Sequence, residues 1–405
     1  MTKRLLIALS LCLLAAPGAF AQGTFTEPDP SQIKMRIGAL WLNPTIDLTN
    51  LGVDTNVFDE PDDQSPKRDF TATIVPKTDL WLRMGRTWLF GTVGEEIVWY
   101  QKYASERSAN TNYKLGWHVP LNRLTFNVGG SYVTTRDRPG FEIDARAQHT
   151  ETGGTASAEI RWLSKTYFSV TGSVVKTNFV STATFDDVNL QDALNRTDTT
   201  GGFTVRQQIT PLTSISVDVS RDQQAFDFSP LRNSDANQVD AKVAFDPAAL
   251  IKGSASFGYE NFKPRDPSLP GYDGTTAAVD LTYTLLGTTR FGVTATRDVQ
   301  YSYDINQPYY VLTGVTGNVA QQLFGPFDVV GRAGLQQLAY RDRVGAAVLI
   351  ADRVDHVRSY GGGIGYHASN GLRIGFNVDE NRRISGLDSR RYSGLVAGTS
   401  VTYGF

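Results

Sequence analysis

The sequence predicts an all-β fold, a transmembrane antiparallel up-and-down β-barrel of about eighteen strands, with sixteen as the alternative count. The first observation behind it is a period-two alternation that recurs along the chain. Leu124, Phe126, Val128 and Tyr132 share one parity, while Arg123, Thr125, Asn127 and Ser131 share the other. Successive strand side chains point to opposite faces, so each such segment has one apolar and one polar face. The second observation is that connections alternate strictly between tight and long. The third is that aromatic residues recur beside the tight ones. A soluble sandwich would also bury apolar faces. Its strands average about 5–6 residues, however, and these segments run about two to three times that length.

The chain opens on an export signal. Lys3 and Arg4 precede an apolar run over 5–16, too short to span a bilayer as a helix, and Ala19-Phe20-Ala21 supplies a small-x-small cleavage site. Residues 1–21 are therefore read as a removable leader, 22–42 as a short periplasmic segment and 43–405 as the barrel. Cys12 is the single cysteine, and it follows Leu11 rather than the small residue a lipid-anchoring signal needs. Its loss with the leader leaves no disulfide. The net charge of −2 gives no indication of nucleic-acid binding. After the leader no apolar run reaches the ~18 residues of a spanning helix.

Within the body, tight turns are predicted near 84–86, 120–122, 163–165, 210–212, 246–249, 286–288, 324–326 and 368–371. Longer polar loops fall near 59–69, 103–109, 137–149, 180–195, 228–234, 264–273, 304–308, 342–354 and 385–390. Short periplasmic turns and longer extracellular loops are the asymmetry expected of an integral outer-membrane barrel. Pro44 and an irregularity at Asn50 leave the first strand, and hence the count, open. Trp81, Trp88, Trp117, Trp162, Phe291, Phe327, Tyr366 and Tyr403 stand beside tight turns and predict a periplasmic aromatic girdle. Trp99, Tyr100, Tyr132, Tyr301 and Tyr340 are candidates for the opposite one. Val401, Tyr403 and Phe405 share one face of the last strand and look like the C-terminal signal read by the barrel assembly machinery.

The polar parity assigns a lumen lined by both signs of charge. Its basic candidates are Lys77, Arg83, Lys114, Arg123, Arg161, Arg206, Lys242, Arg290, Arg332, Arg358 and Arg373. Its acidic ones are Asp79, Glu159, Asp218, Asp240, Asp280, Asp298, Asp328 and Asp379. A barrel of this width leaves an aqueous channel unless those charges pair and fill it. A repeated Arg-Asp step places Arg136, Arg221, Arg297 and Arg341 on the lipid-facing parity near the outer rim. Guanidinium forks there suit phosphates of lipopolysaccharide. The loop over 184–195 carries Phe185, Val188, Leu190 and Leu194 and is a candidate for a short helix folded inward as a constriction. The four histidines, 118, 149, 356 and 367, have no metal-ligand spacing, and no nucleophile–base set or phosphate loop is apparent. No cofactor, metal or catalytic activity is expected.

The stretch Gly52-Val53-Asp54-Thr55-Asn56-Val57-Phe58 resembles the opening of an outer-membrane β-barrel porin family associated with exopolysaccharide and exosortase loci. The resemblance implies a porin-like channel for polar solutes serving polysaccharide export, with polysaccharide export proteins as partners alongside outer-membrane lipid. It supplies no catalytic residues. Gly52, Asp54 and Asn56 then read either as a rim site or as a strand-end turn held by Asp and Asn side chains. The competing class is a non-conducting barrel that displays loops or holds an envelope complex.

Overall fold

The computed structural model describes residues 25, 27–31, 33–368 and 371–404. The expected leader, with Cys12, and the terminal Phe405 lie outside them. Eighteen long strands form the body. They are β1 (Leu40–Asp54), β2 (Asp69–Met84), β3 (Thr87–Tyr100), β4 (Ser108–Pro120), β5 (Leu124–Asp137), β6 (Ala147–Arg161), β7 (Thr166–Phe179), β8 (Arg196–Thr210) and β9 (Thr213–Phe226). There follow β10 (Ser234–Phe245), β11 (Ile251–Pro264), β12 (Tyr272–Leu285), β13 (Thr289–Tyr301), β14 (Tyr309–Gln322), β15 (Phe327–Arg341), β16 (Val354–Ala368), β17 (Leu372–Ile384) and β18 (Tyr392–Tyr403). Each pairs antiparallel with its chain neighbours, and β18 returns to β1 and closes the ring. A short strand, Met35–Ile37, folds back on Leu40–Leu42, so the barrel begins slightly before the expected residue 43.

The ambiguity in the first strand resolves as a bulge. Asn50 takes a left-handed φ of 51°, and the register shifts there against both β2 and β18. A bulge bends a strand without ending it, so β1 keeps 15 residues. Gly52 is required beside it, because a Cβ there would lie 2.0 Å from the carbonyl oxygen of Ala397 on β18. Of the tight turns, the β12–β13 connection places Leu286 and Gly287 at φ 52° and 73°. Two successive left-handed residues match the twist of a hairpin.

The outward face is the apolar one through the middle of the barrel, with Leu115, Val128, Val170, Phe257 and Ile364 among its exposed residues. At the short-turn end Trp117, Trp162, Phe291, Phe327, Tyr366 and Tyr403 point outward as expected. Trp81 and Trp88 do not: they lie on the inward face, where Trp88 meets Trp41 edge-on at 5.3 Å. At the long-loop end Trp99 and Tyr132 are outward, but Tyr100, Tyr301 and Tyr340 are interior.

One part of the wall departs from a simple tube. Pairing between β12 and β13 runs from Leu285–Thr289 only as far as Ala277–Arg297. Above that level the β13–β14 hairpin slides inside the ring. Its outward parity (Val299, Tyr301, Tyr309, Val311) packs on inward residues of β10–β12, namely Ala236, Phe262 and Tyr272. Side chains replace the missing ladder. Arg297 donates to the Thr275 carbonyl at 3.1 Å, and Tyr309 Oη donates to that of Gly271 at 2.8 Å.

Candidate functional site

The lower and middle lumen is polar, as the alternation requires. The register places Lys77, Asp79, Arg83, Lys114, Glu159, Arg161, Arg206, Asp218, Asp240, Lys242, Asp280 and Arg290 on the inward face. Asp298, Asp328, Arg332, Arg373 and Asp379 join them. Two candidates fall elsewhere. Arg123 belongs to the turn before β5 rather than to a strand. Arg358 faces outward, opposite Arg382, while its neighbours Val357 and Ser359 face in.

Several inward charges bridge from one strand to the next but one. Arg332 of β15 binds Asp379 of β17 at 2.9 Å, and Arg373 of β17 binds Asp328 of β15 at 2.6 Å, where His367 joins. Both bridges cross β16 above glycines. A Cβ at Gly361 would fall 1.8 Å from Asp379, and one at Gly365 would fall 2.4 Å from Arg373. Arg206 of β8 likewise reaches Glu159 of β6 at 2.7 Å, crossing β7. On the other wall Asp218 accepts from Thr204 and Ser216, and Asp240 from Gln238. With Asp280 they form an acidic side, on which Lys242 lies beside Asp240.

Asp218, Asp240, Lys242, Asp280, Arg332 and Asp379 border a cavity of about 1290 Å³, from Thr402 and Arg373 below to Asp59 and Arg138 above. At its lower end Phe25 stacks on His118 (4.4 Å) and lies 4.9 Å from Phe90. Its upper end is closed by loops reaching in from several walls. The loop over 138–146 buries Glu142, Ile143 and Asp144. Arg383 of β17, fully buried, donates to Asp355 at 2.6 Å and to Asp144 at 3.1 Å. Arg390 adds contacts to Asp144 (3.1 Å) and to Asp186 (3.4 Å). Glu142 accepts from the Ser302 hydroxyl (2.7 Å) and the Tyr303 amide (3.1 Å). Arg232 donates to the carbonyls of Ser302, Tyr303 and Pro308. The expected short helix exists as α1 (Leu190–Leu194), and it packs on Ile143, Ala147 and Phe179. Its loop crosses the mouth, carrying Asp186 to Arg390.

Burial dominates the electrostatics of this cap. It pushes the Asp59 carboxyl up to about 7, although Arg138 lies 2.8 Å away and opposes the rise. It raises Glu142 as well, and it lowers Arg232 to about 10. The cap is thus a buried, ion-paired layer above the cavity.

The other sequence-singled residues have plain structural places. The Asn56 amide donates to Asp54 at 2.9 Å, while its side chain holds Glu60 and donates to the Ser393 carbonyl at 3.0 Å. The Gly52–Asn56 stretch is thus a strand-end turn that also ties β1 to β18. Among the rim arginines, Arg136 meets Glu106 at 3.4 Å and Arg221 meets Asp235 at 3.5 Å. Arg297 is taken up at the β12–β13 overlap, and Arg341 donates to the Tyr340 carbonyl at 3.2 Å. Val401 and Tyr403 face outward on β18. Sequence reasoning missed the cap network and the overlap. The only signal was Phe141 and Ile143 amid a charged loop.

A family profile described as "Putative beta-barrel porin 2" matches residues 29–405. No curated protein matches the chain in sequence. Solved structures of similar fold include OccAB4 of Acinetobacter baumannii, at 10% identity and TM-score 0.48, covering 93% of this chain and 99% of that one. A BenF-like porin from Pseudomonas fluorescens Pf-5 gives 10% and 0.48, covering 90% and 98%. The FrpB iron transporter of Neisseria meningitidis gives 10% and 0.45, covering 85% of this chain; the chain spans 62% of that transporter's length.

Proposed function

The chain belongs to the Putative beta-barrel porin 2 family and is an integral protein of the bacterial outer membrane, and from that premise we propose that it is a gated channel for polar solutes. The observation that carries this reading is the cavity of about 1290 Å³, bordered by charged and hydroxyl side chains, beneath a cap made of loops rather than wall. Ion pairs and hydrogen bonds between loops can part without breaking the strand ladder, so opening need not unfold the barrel. Hydroxyl and amide groups such as Thr200, Ser254, Thr294, Asn377 and Ser400 border the cavity. Such a surface suits hydrated, hydroxyl-rich solutes, and exopolysaccharide is the cargo we favour. The acidic side formed by Asp218, Asp240 and Asp280 favours neutral or cationic solutes over anions.

The test is planar-bilayer conductance of the refolded protein. We expect a mostly closed wild type and a long-lived open state after deletion of 140–145. Asn at 218, 240 and 280 together should lower the cation-to-anion permeability ratio of that open state by about two-fold. The interlocked cap also supports a second reading, a non-conducting barrel that docks an envelope complex. A deletion variant that folds yet stays silent would leave that reading standing.

A further inference from the structure

We infer that the outward face of β16–β17 carries a binding site for a phosphorylated glycolipid headgroup of the outer leaflet, bridged by Arg358 and Arg382. The two arginines are directly opposite each other across the β16–β17 ladder. Both alternate with interior residues, Val357 and Arg383, and both are exposed. Among the described residues neither has a hydrogen bond, an ion pair or a ring contact. Like charges directly opposite on one sheet face repel and destabilise the pairing. Several other outward basic residues near strand ends show one way of avoiding that. Arg136 has Glu106, Arg221 and Arg265 share Asp235, and Lys176 has Asp227. Glu380 is outward one row below, opposite Tyr360, and makes no ion pair with either arginine.

What lies beneath the pair identifies the ligand class. Leu335 of β15 is exposed level with the pair, directly opposite Arg358; one row below Tyr360 stands beside Glu380, and Val378, Ile364 and Phe376 continue the outward column downward as apolar residues. Arg358 and Arg382 are therefore the first charged pair above the hydrocarbon-facing belt, where acyl chains end and headgroups begin. A phosphate between two guanidinium groups accepts forked, charge-assisted hydrogen bonds from both and removes the repulsion. His356, outward above Arg358, supplies a further polar group at the same level. A molecule with apolar chains in the belt and a phosphate at its rim satisfies both surfaces at once. The site is independent of whether the barrel conducts.

The experiment uses the full barrel refolded in neutral detergent, with its fold verified by heat-modifiable migration. Lipid A adducts are counted by native mass spectrometry across a lipid titration. Wild type should hold one lipid A at concentrations lower by about ten-fold or more than an R358Q/R382Q variant, given charge-assisted bonds from two side chains. An R136Q/R221Q control should match wild type. In lipid-free detergent the double variant should melt no lower than wild type, because a repulsive pair has been removed, and lipid A should raise the melting point of wild type alone. Single R382Q guards against a folding failure of the double variant, with intermediate binding expected. Equal lipid A retention by wild type and R358Q/R382Q overturns the inference. So does orthophosphate that stabilises wild type as much as lipid A does, because the chains would then add nothing.

Discussion

The lower and upper halves of the same strands have opposite polarity. On β16, Ser359 faces in while Tyr360 and Ile364 face out; a few residues above, Val357 faces in and Arg358 faces out. On β15, Asp328 and Arg332 are inward below, whereas Leu338 and Tyr340 are inward above, fully buried. On β14, Thr316 and Asn318 give way to Leu312 and Tyr310. The alternation keeps its period but exchanges its meaning. Below, the outside is hydrocarbon and the inside is wet. Above, the outside meets headgroups and water, while the inside is a dry core made by loops. Each face takes the side chains that its own solvent demands.

The largest expected effect on this contrast comes from Arg383→Ala. It takes one guanidinium from each of Asp355 and Asp144 and leaves Arg353 at 3.7 Å and Arg390 at 3.1 Å to face them alone, a loss of up to about 3–5 kcal/mol for a broken buried pair. The cap should loosen, with protease cutting within 138–146 and raised open probability, while the lower barrel keeps its heat-modifiable migration. If the whole barrel melts with the cap, the two halves are one cooperative unit and the contrast is only one of composition. Next comes a matched pair on one strand. Leu338→Ala empties a core position above and should cost about 2–5 kcal/mol, seen as a lower unfolding midpoint. Leu335→Ala changes a lipid-facing position and should cost much less. Similar losses would mean that the upper interior is not the core described here.

The smallest effect is a graded one with pH. Asp59 in the closed cap titrates at about 7 against an ordinary 3.8, raised by burial. Asp54 and Asp144 add to that rise, and Arg138 and Arg383 oppose it. The closed form therefore holds a proton that an opened loop would release between those values. Its advantage is complete below the ordinary value and is lost as pH rises to about 7; Glu142, also raised by burial, acts with the same sign. Closed times in bilayers should shorten from pH 5 to pH 8, and Asp59→Asn should flatten that trend. An opposite slope would mean that gating lies outside the cap.

Much of the barrel was legible because its determinants are local. Alternation, tight turns and loop positions each depend on a few consecutive residues, and together they fixed eighteen strands once Asn50 proved to be a bulge. Arg358 was misplaced because polar was equated with inward above the level where the solvent changes, although its parity is that of the outward Tyr360 and Ile364. Trp81 and Trp88 were misplaced because proximity to a turn says nothing about parity. The cap was out of reach for a different reason. Arg383 and Asp144 are 239 residues apart in sequence, and nothing local marks them as partners. The bridges over β16 were half visible: Gly361, Gly362 and Gly363 announce a need for space without naming what fills it.

The overlap between β12 and β13 sets the shape of the mouth. A cylinder of fixed strand number and shear has a fixed girth, and narrowing it ordinarily requires fewer strands, a different stagger or an inserted plug. Here the sheet is rolled like a paper cone. It is joined edge to edge at its base up to Ala277 and Arg297, and it laps over itself above. Two bare strand edges, which would invite a stray β-strand, are hidden against each other by Tyr301, Tyr309 and Phe262. The aperture is thus decoupled from the strand count, and sliding one lap over the other would change its diameter while every other ladder stays intact.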